Sequence, residues 1–198
     1  PGYQVTFALM LTSAIITCTL TTRLKDHAKM SAQAAFRTKI LFDTNQLLQR
    51  AKSEEEILSQ TASQLMKLLN RSLIVYPEQN GDLGSEQVFE IDGEVPCNIF
   101  SAPKERDAAN WTFANKKRSG AGTDSYPDAK GLYLALRTGG GVFGVIGIDL
   151  SEKPLDAFEN SVLLSILGEG ALAIENRRNA LEKERATMQA QNEQLRAN

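Results

Sequence analysis

The sequence predicts an α+β fold, in which helices pack on an antiparallel sheet and a long helix stands at each end of the chain. Apolar residues recur at helical spacing before residue 70 and after residue 156. Between these segments the period shortens to the two residues of a strand, and turn residues separate the apolar runs. The expected strands cover residues 71–78, 86–91, 131–138 and 141–150.

The first element is an uncharged run over residues 5–22, which holds eleven apolar residues and seven serines or threonines. Its length is near the lower limit for a helix that spans a membrane. Basic residues such as Arg23, Lys25 and Lys29 follow it, as is typical of the cytoplasmic side of a span. We therefore expect residues 1–23 to form a transmembrane helix, with a buried helix of a soluble domain and a signal peptide as the alternatives.

Two helices are expected next. Residues 24–52 contain neither glycine nor proline and carry a thin apolar stripe, which predicts a connecting helix. Ser53 and Glu56 have the spacing of a capping box, in which each side chain accepts a backbone N–H bond at the start of a helix. The apolar spacing that follows predicts a helix over residues 53–70.

Turn residues divide the middle of the chain. Pro77 is expected to end the first strand, and residues 80–84 have turn composition. A helix is expected over residues 104–120. Gly139–Gly141 separate the last two strands at a spacing that suits a hairpin.

The C-terminal helix, over residues 156–198, carries an apolar residue at every seventh position. These positions are Leu167, Ile174, Leu181, Met188 and Leu195. The companion positions four residues further on are mostly polar: Ala171, Arg178, Arg185 and Asn192. Such a seam predicts a weak dimeric coiled coil, and the alternative is a solvated helix without a partner.

Composition excludes several classes of function. A net charge of −2 gives no reason to expect nucleic acid as a partner. His27 is the one histidine, and Cys18 and Cys97 are far apart, so we expect no metal, no disulfide framework and no histidine-dependent catalytic site. Sparse cysteine also fits a reducing, cytosolic setting.

Two glycine-rich segments have the spacing of nucleotide-binding loops without their context. Residues 139–144 match G-x-G-x-x-G, but a strand follows where the dinucleotide motif requires a helix. Residues 119–124, SGAGTD, lack the lysine of a phosphate loop and place Asp124 where an anion would be repelled. Asp124 and Thr123 are expected to bond nearby backbone groups. A free-standing enzyme is therefore the least favoured function, and we expect no catalytic residues.

A small-molecule pocket is an alternative use of the glycine-rich loop. Aromatic residues flank the loop, and such a cluster over a sheet face can line a pocket. The residues expected to line it are Trp111, Phe113, Ser119, Gly120, Gly122, Thr123, Asp124 and Tyr133. Residue type alone favours core packing for Trp111 and Phe113.

Several segments together resemble the KdpD family of potassium-responsive sensor histidine kinases. Residues 111–113 (WTF), 119–127 (SGAGTDSYP) and 133–150 (YLALRTGGGVFGVIGIDL) resemble the GAF domain of that family. Residues 3–25 are similar to its last membrane span, and residues 177–198 are similar to the linker before its phospho-acceptor helix.

The resemblance implies a dimeric kinase of the bacterial inner membrane, which autophosphorylates on histidine and passes the phosphate to a response regulator. The acceptor motif is expected after Asn198 and the ATP-binding domain later still. The GAF domain is implied to lie on the cytoplasmic side. The chain then divides into a last span (1–23), a connecting helix (24–52), a GAF-like domain (53–176) and a coiled-coil linker (177–198).

The resemblance implies no cofactor. Asn115 and Lys116 match part of the cyclic-nucleotide motif of GAF domains, but Arg118 stands where that motif has phenylalanine. Cys97 lacks the adjacent histidine found at bilin attachment sites. The leading hypothesis is a non-catalytic relay between membrane helices and kinase core, with the polar half of the C-terminal seam as its two-state element.

Overall fold

The computed structural model describes residues 38–91 and 98–197, with side chains up to residue 193, and a few positions nearer the N-terminus. Those positions are Tyr3, Phe7, Met10, Thr17, residues 30–32 and residues 34–36. The chain divides into two compact units, Pro1–Phe42 and Asp43–Asn198. Every described residue of the first unit is helical. Most of the predicted span 1–23 lies outside the described residues, as do Cys18, His27 and Cys97.

The second unit contains a six-stranded antiparallel sheet, which confirms the predicted fold class. Its strands are β1 (Leu73–Gln79), β2 (Asp82–Leu83), β3 (Gln87–Phe89), β4 (Ser119–Gly120), β5 (Gly131–Arg137) and β6 (Val142–Asp149). Its helices are α1 (residues 43–50), α2 (Glu54–Leu69), α3 (Pro103–Asn115) and α4 (Ala157–Ala197), and a 3-10 turn covers Asn98–Ser101. The strand order is β2-β1-β6-β5-β4, and β3 pairs with the β1 edge beside β2.

The start of α2 is capped largely as its sequence predicts. The Glu56 backbone N–H donates to Ser53 Oγ at 3.1 Å. The return bond differs, because Glu56 Oε2 accepts from the Lys52 N–H, at 2.6 Å, instead of the Ser53 N–H. Three consecutive glutamates occupy the first turn, where their negative charges interact favourably with the positive end of the helix dipole. The helix ends at Asn70, which adopts the left-handed conformation.

Two sequence predictions about element ends are wrong. Pro77 does not end the first strand, because it lies inside β1 and pairs with Gly144 of β6. On its other edge β1 pairs with β3 before Pro77 and with β2 after it, so the missing N–H of Pro77 costs no hydrogen bond of the sheet. The predicted helix 104–120 is too long, since α3 ends at Asn115 and Lys116 turns left-handed with φ 57°. Ser119–Gly120 form β4 instead, paired with β5. The predicted β5–β6 hairpin is present.

The sheet is covered on both faces. One face packs against α3 and the 3-10 turn around a core that includes Tyr76, Phe100, Tyr133 and Val145. Alternate residues of the same strands face α2 and α4 on the other side, because side chains of a strand point to opposite faces in turn. In the part of the chain that the structure describes, one helix, Ala157–Glu193 within α4, is long and apolar enough to cross a membrane. About two fifths (39%) of its most apolar window is buried.

Candidate functional site

Tyr133, a predicted pocket residue, belongs to the core beneath α3. Its side chain is fully buried, and its hydroxyl donates to Glu105 Oε2 at 2.8 Å. Glu105 also accepts the backbone N–H groups of Lys130 at 2.8 Å and Gly131 at 3.1 Å. Burial, together with the Glu105 carboxylate, raises the pKa of Tyr133 well above its usual value. The phenol therefore stays protonated and holds β5 to α3.

Ser119 and Gly120 are also structural. Ser119 Oγ donates to the Ala108 carbonyl at 2.8 Å, so its one proton is used, and the Thr112 hydroxyl, 2.7 Å away, donates to Ser119. Gly120 has φ 94°, and a Cβ there would overlap the carbonyl oxygen of Gly131. These contacts fix β4 beneath α3.

The remaining predicted pocket residues lie at the surface or at the core edge. Thr123 Oγ1 is 2.8 Å from the carbonyl oxygens of Gly120 and Ser125, as expected for a tight loop, whereas Asp124 is exposed. Gly122 and Thr123 border a groove of about 270 Å³ near the start of α4. Trp111 meets Tyr126 edge to face at 6.5 Å between ring centres. Phe113 packs at the edge of the core.

The structure thus distributes the predicted pocket residues over three places. Tyr133, Ser119 and Gly120 are buried in or beside the α3 core, and Gly122 and Thr123 border the groove. Trp111 and Phe113 lie on α3, and Asp124 lies in the exposed loop after β4. The reason is strand alternation: Leu132, which lines the groove, faces away from its neighbour Tyr133. Sequence proximity therefore does not bring these side chains around one cavity.

The heptad positions of α4 fall into a buried group and an exposed group. Leu167 and Ile174 are buried within the unit, so they are not free to form a seam with another helix. Leu181 and Met188 are 39% and 54% exposed. The side chain of Leu195 lies outside the described ones. The available part of the predicted seam is the part that extends beyond the sheet.

Arg178, predicted to lie in the polar layer of that seam, instead binds the domain. Its Nε and NH2 groups donate to the Glu54 carboxylate at 2.7 to 3.0 Å, and NH2 also donates to Glu78 Oε2 at 3.1 Å. The guanidinium lies 4.9 Å from the centre of the Phe143 ring. Hydrogen bonds to Glu54, more than those to Glu78, raise the pKa of Arg178 above its usual value. One side chain thus joins α4 to the start of α2, the end of β1 and the start of β6.

The neighbouring arginine reinforces this connection. Arg177 NH2 donates to the carbonyl oxygen of Lys52, between α1 and α2. About two helical turns earlier in both segments, the Asn45 side-chain amide donates to Glu169 Oε2 at 3.0 Å. Because contacts 45–169 and 52–177 advance together, α1 and α4 run in the same direction. We call Lys52, Glu54, Glu78, Arg177 and Arg178 the junction site.

The junction site lies where α4 leaves the domain. Before it, α4 is buried at Ala171 and Ile174, and Glu175 Oε1 accepts the Thr138 hydroxyl of the β5–β6 turn at 2.9 Å. After it, all described side chains from residue 179 to residue 193 are exposed. Sequence reasoning missed Glu54 and Glu78 as partners of Arg178, since they precede it by 124 and 100 residues. The one available signal was an acidic first turn in α2.

No metal centre is evident in the described part of the chain, where no three His, Cys, Asp or Glu side chains come together as ligands. Both carboxylates of the junction site accept from Arg178, and Glu78 also accepts the Gly81 backbone N–H. The geometry of the site suits mechanical coupling between the segment before α2 and the segment after residue 178.

The chain is similar to curated sensor proteins along all or most of its length. It is 30% identical over 198 residues to the sensor protein KdpD of Clostridium acetobutylicum, and 26% identical over 149 residues to the sensor protein KdpD of Escherichia coli. These alignments cover 100% and 74% of this chain. The chain spans only 22% and 16% of those relatives. No family model matches the chain.

A solved structure shows the same fold. The native GAF domain of the potassium sensor histidine kinase KdpD from Escherichia coli aligns with a TM-score of 0.54 and 20% sequence identity. The alignment covers 76% of this chain and 99% of that domain. Together with the match to a KdpD sensor protein over all 198 residues, this likeness shows that the chain carries a GAF domain of the KdpD type.

Proposed function

We propose that this chain is the relay section of a membrane-bound sensor histidine kinase, which passes a change in its membrane helices to the kinase core. Similarity to KdpD along the whole chain supports this function, including the response to potassium that the name of the solved relative carries. In this proposal residues 1–23 are the last membrane span and residues 24–52 connect it to the GAF domain. Residues 177–198 lead to the kinase core on the cytoplasmic side.

The junction site is the observation that carries the proposal. Arg177 binds the backbone at Lys52 and Arg178 binds Glu54, so the segment that leads into the domain is joined directly to the helix that leaves it. A displacement of the α1–α2 connection moves these oxygens relative to α4. The helix then either follows the displacement or loses the bonds of Arg178, which gives two states with different exit geometry.

The energies suit a switch. The Arg178 and Glu54 side chains are 39% and 34% exposed, so solvent screens their attraction, and such pairs contribute about 0.2–1 kcal/mol each. The contact with Phe143 adds about 0.5–1 kcal/mol. The two ion pairs of Arg178 and the ring contact together contribute about 1–3 kcal/mol, which corresponds to a population change of roughly five- to 150-fold. These contacts of Arg178 are together strong enough to favour one position of α4 and weak enough to break.

The proposed partners are a second copy of the chain, the remaining kinase domains and, through them, a response regulator. Pairing between copies would use the free part of α4, where Leu181 and Met188 are exposed. Arg178 is engaged by its own domain, so the polar layer of that seam begins at Arg185. The proposal assigns no cofactor or metal and no catalytic residue to this part of the protein.

The test compares two arginine variants in the full-length kinase. Arg178→Gln removes the junction bonds, whereas Arg137→Gln, at an exposed position at the end of β5 and outside both the junction site and the α4 seam, changes the charge equally. Autophosphorylation at low and high potassium is measured in reconstituted liposomes. We expect Arg178→Gln to lose most of the potassium response and Arg137→Gln to keep it. An unchanged response in a folded Arg178→Gln protein would refute the relay role of the junction site.

A further inference from the structure

A second opening lies on the α3 face of the sheet, away from the junction site. This cleft has a volume of about 450 Å³, within the usual range for small-molecule sites. Its walls come from β1, β2, the 3-10 turn and the start of α3. Leu83, Phe100 and Pro103 provide apolar surface, and the charged residues in it are Arg106 and Glu86.

Arg106 is held in place by uncharged contacts. Its guanidinium lies 4.7 Å from the centre of the Tyr76 ring, and NH2 donates to the Leu83 carbonyl at 2.7 Å. Burial raises the pKa of Tyr76 to about 12, so the phenol is neutral at physiological pH and does not balance the arginine charge. The cation is therefore positioned by its neighbours and available to an anion in the cleft.

The present partner of Arg106 is easily replaced. Glu86 Oε2 lies 3.3 Å from Arg106 NH1, and the Glu86 side chain is 57% exposed. A single long contact to a carboxylate that is mostly exposed contributes little to stability. A ligand carboxylate inside the cleft would be less hydrated and could bond the planar guanidinium with both oxygens, which makes a stronger pair.

We propose that this cleft binds a small monocarboxylate with a compact apolar body. The carboxylate replaces Glu86 on Arg106, and the apolar body contacts Leu83, Phe100 and Pro103. A phosphate dianion fits less well, because the cleft supplies one arginine and keeps Glu86 at its edge, so the second negative charge would have no partner.

The cleft is connected to the junction site through β2. Leu83, whose carbonyl holds Arg106, pairs with Glu78 across β1 and β2. Glu78 Oε1 accepts the Gly81 N–H of the intervening turn at 2.9 Å, and Oε2 accepts from Arg178. A ligand that draws Arg106 away from its present position therefore displaces the turn that holds Glu78. This coupling rests on the proposed relay function, whereas the binding of a carboxylate does not.

The binding test uses the full 198-residue chain, ¹⁵N-labelled in detergent micelles, with benzoate as the probe and neutral benzamide as its matched control. We expect saturable benzoate shifts in residues of the cleft and none with benzamide. Glu86→Gln removes the internal competitor and should bind benzoate about five-fold more tightly. Arg106→Gln should bind at least ten-fold more weakly. Arg106→Lys should fall between Arg106→Gln and the wild type, because it keeps the charge and loses the planar fork.

Three results would overturn the proposed binding: no saturation with the Glu86→Gln protein, equal affinity for benzamide, or equal affinity in wild type and the Arg106 variants. If Arg106→Gln does not fold, the comparison of Arg106→Lys, Glu86→Gln and wild type decides. For the coupling, benzoate should shift the Arg178 Nε–H resonance in wild type but not in Glu78→Gln. Binding without that shift in wild type would overturn the coupling alone, since the potassium response of Arg178→Gln tests the relay function separately.

Discussion

The bond between Tyr133 and Glu105 gives the sharpest prediction about stability. Tyr133→Phe keeps the buried ring and removes the hydroxyl that donates to Glu105 Oε2 at 2.8 Å. A hydrogen bond to a charged group contributes about 1.5–3 kcal/mol, and the two backbone donors of Glu105 cannot move to replace it. We expect the free energy of unfolding to fall by about 2 kcal/mol.

Urea unfolding, followed by circular dichroism, measures this loss. With an m-value of about 2 kcal/mol/M, the midpoint should fall by roughly 1 M, and the melting temperature by about 6 °C. Tyr126→Phe is the matched control, because that tyrosine is 38% exposed and keeps its ring contact with Trp111 as phenylalanine. If the two variants differ by less than about 0.5 kcal/mol, the hydroxyl of Tyr133 does not stabilise the α3 core as argued.

Two further predictions concern β4 and the end of α4. Gly120→Ala should lower the free energy of unfolding by about 2 kcal/mol or more, because φ is positive there and the added Cβ meets backbone atoms. Gly139 has open space around it, so the free energy of unfolding of Gly139→Ala, measured in the same urea assay, should lie within about 0.5 kcal/mol of the wild-type value. Leu181→Glu should shift the chain from dimer towards monomer in sedimentation experiments, since it places a charge in the proposed seam. Asn179→Glu, on the opposite side of the helix, should leave the sedimentation coefficient unchanged, and equal behaviour of these two variants would contradict pairing through this part of α4.

Local signals in the sequence predicted most elements of the sheet domain. Ser53 and Glu56 marked the start of α2, and the alternating apolar residues of β5 and β6 marked a hairpin, because both depend on neighbours within a few residues. The prediction that Pro77 ends the first strand was wrong for a reason that lies outside its own segment. Whether a proline interrupts a strand depends on whether a partner requires its N–H, and the exchange of β3 for β2 along β1 removes that requirement.

The sites were less predictable than the elements. Residue type argued against a phosphate loop at SGAGTD, whereas Tyr133 and Thr123, expected at one pocket, belong to different environments. Glu105 was not singled out, although it accepts three hydrogen bonds, because a glutamate in a short helix gives no local sign that it is buried.

The sequence by itself determined most of the elements, their order and the likeness to KdpD, since these depend on patterns along the chain. Only the tertiary structure decided which of the repeating apolar residues of α4 are buried and what Arg178 binds. A heptad repeat records an apolar stripe without recording what covers it. In this protein the rest of the domain, α2 as well as the sheet, covers the stripe as far as Ile174, and the exposed remainder begins only after Arg178 has bound Glu54 and Glu78.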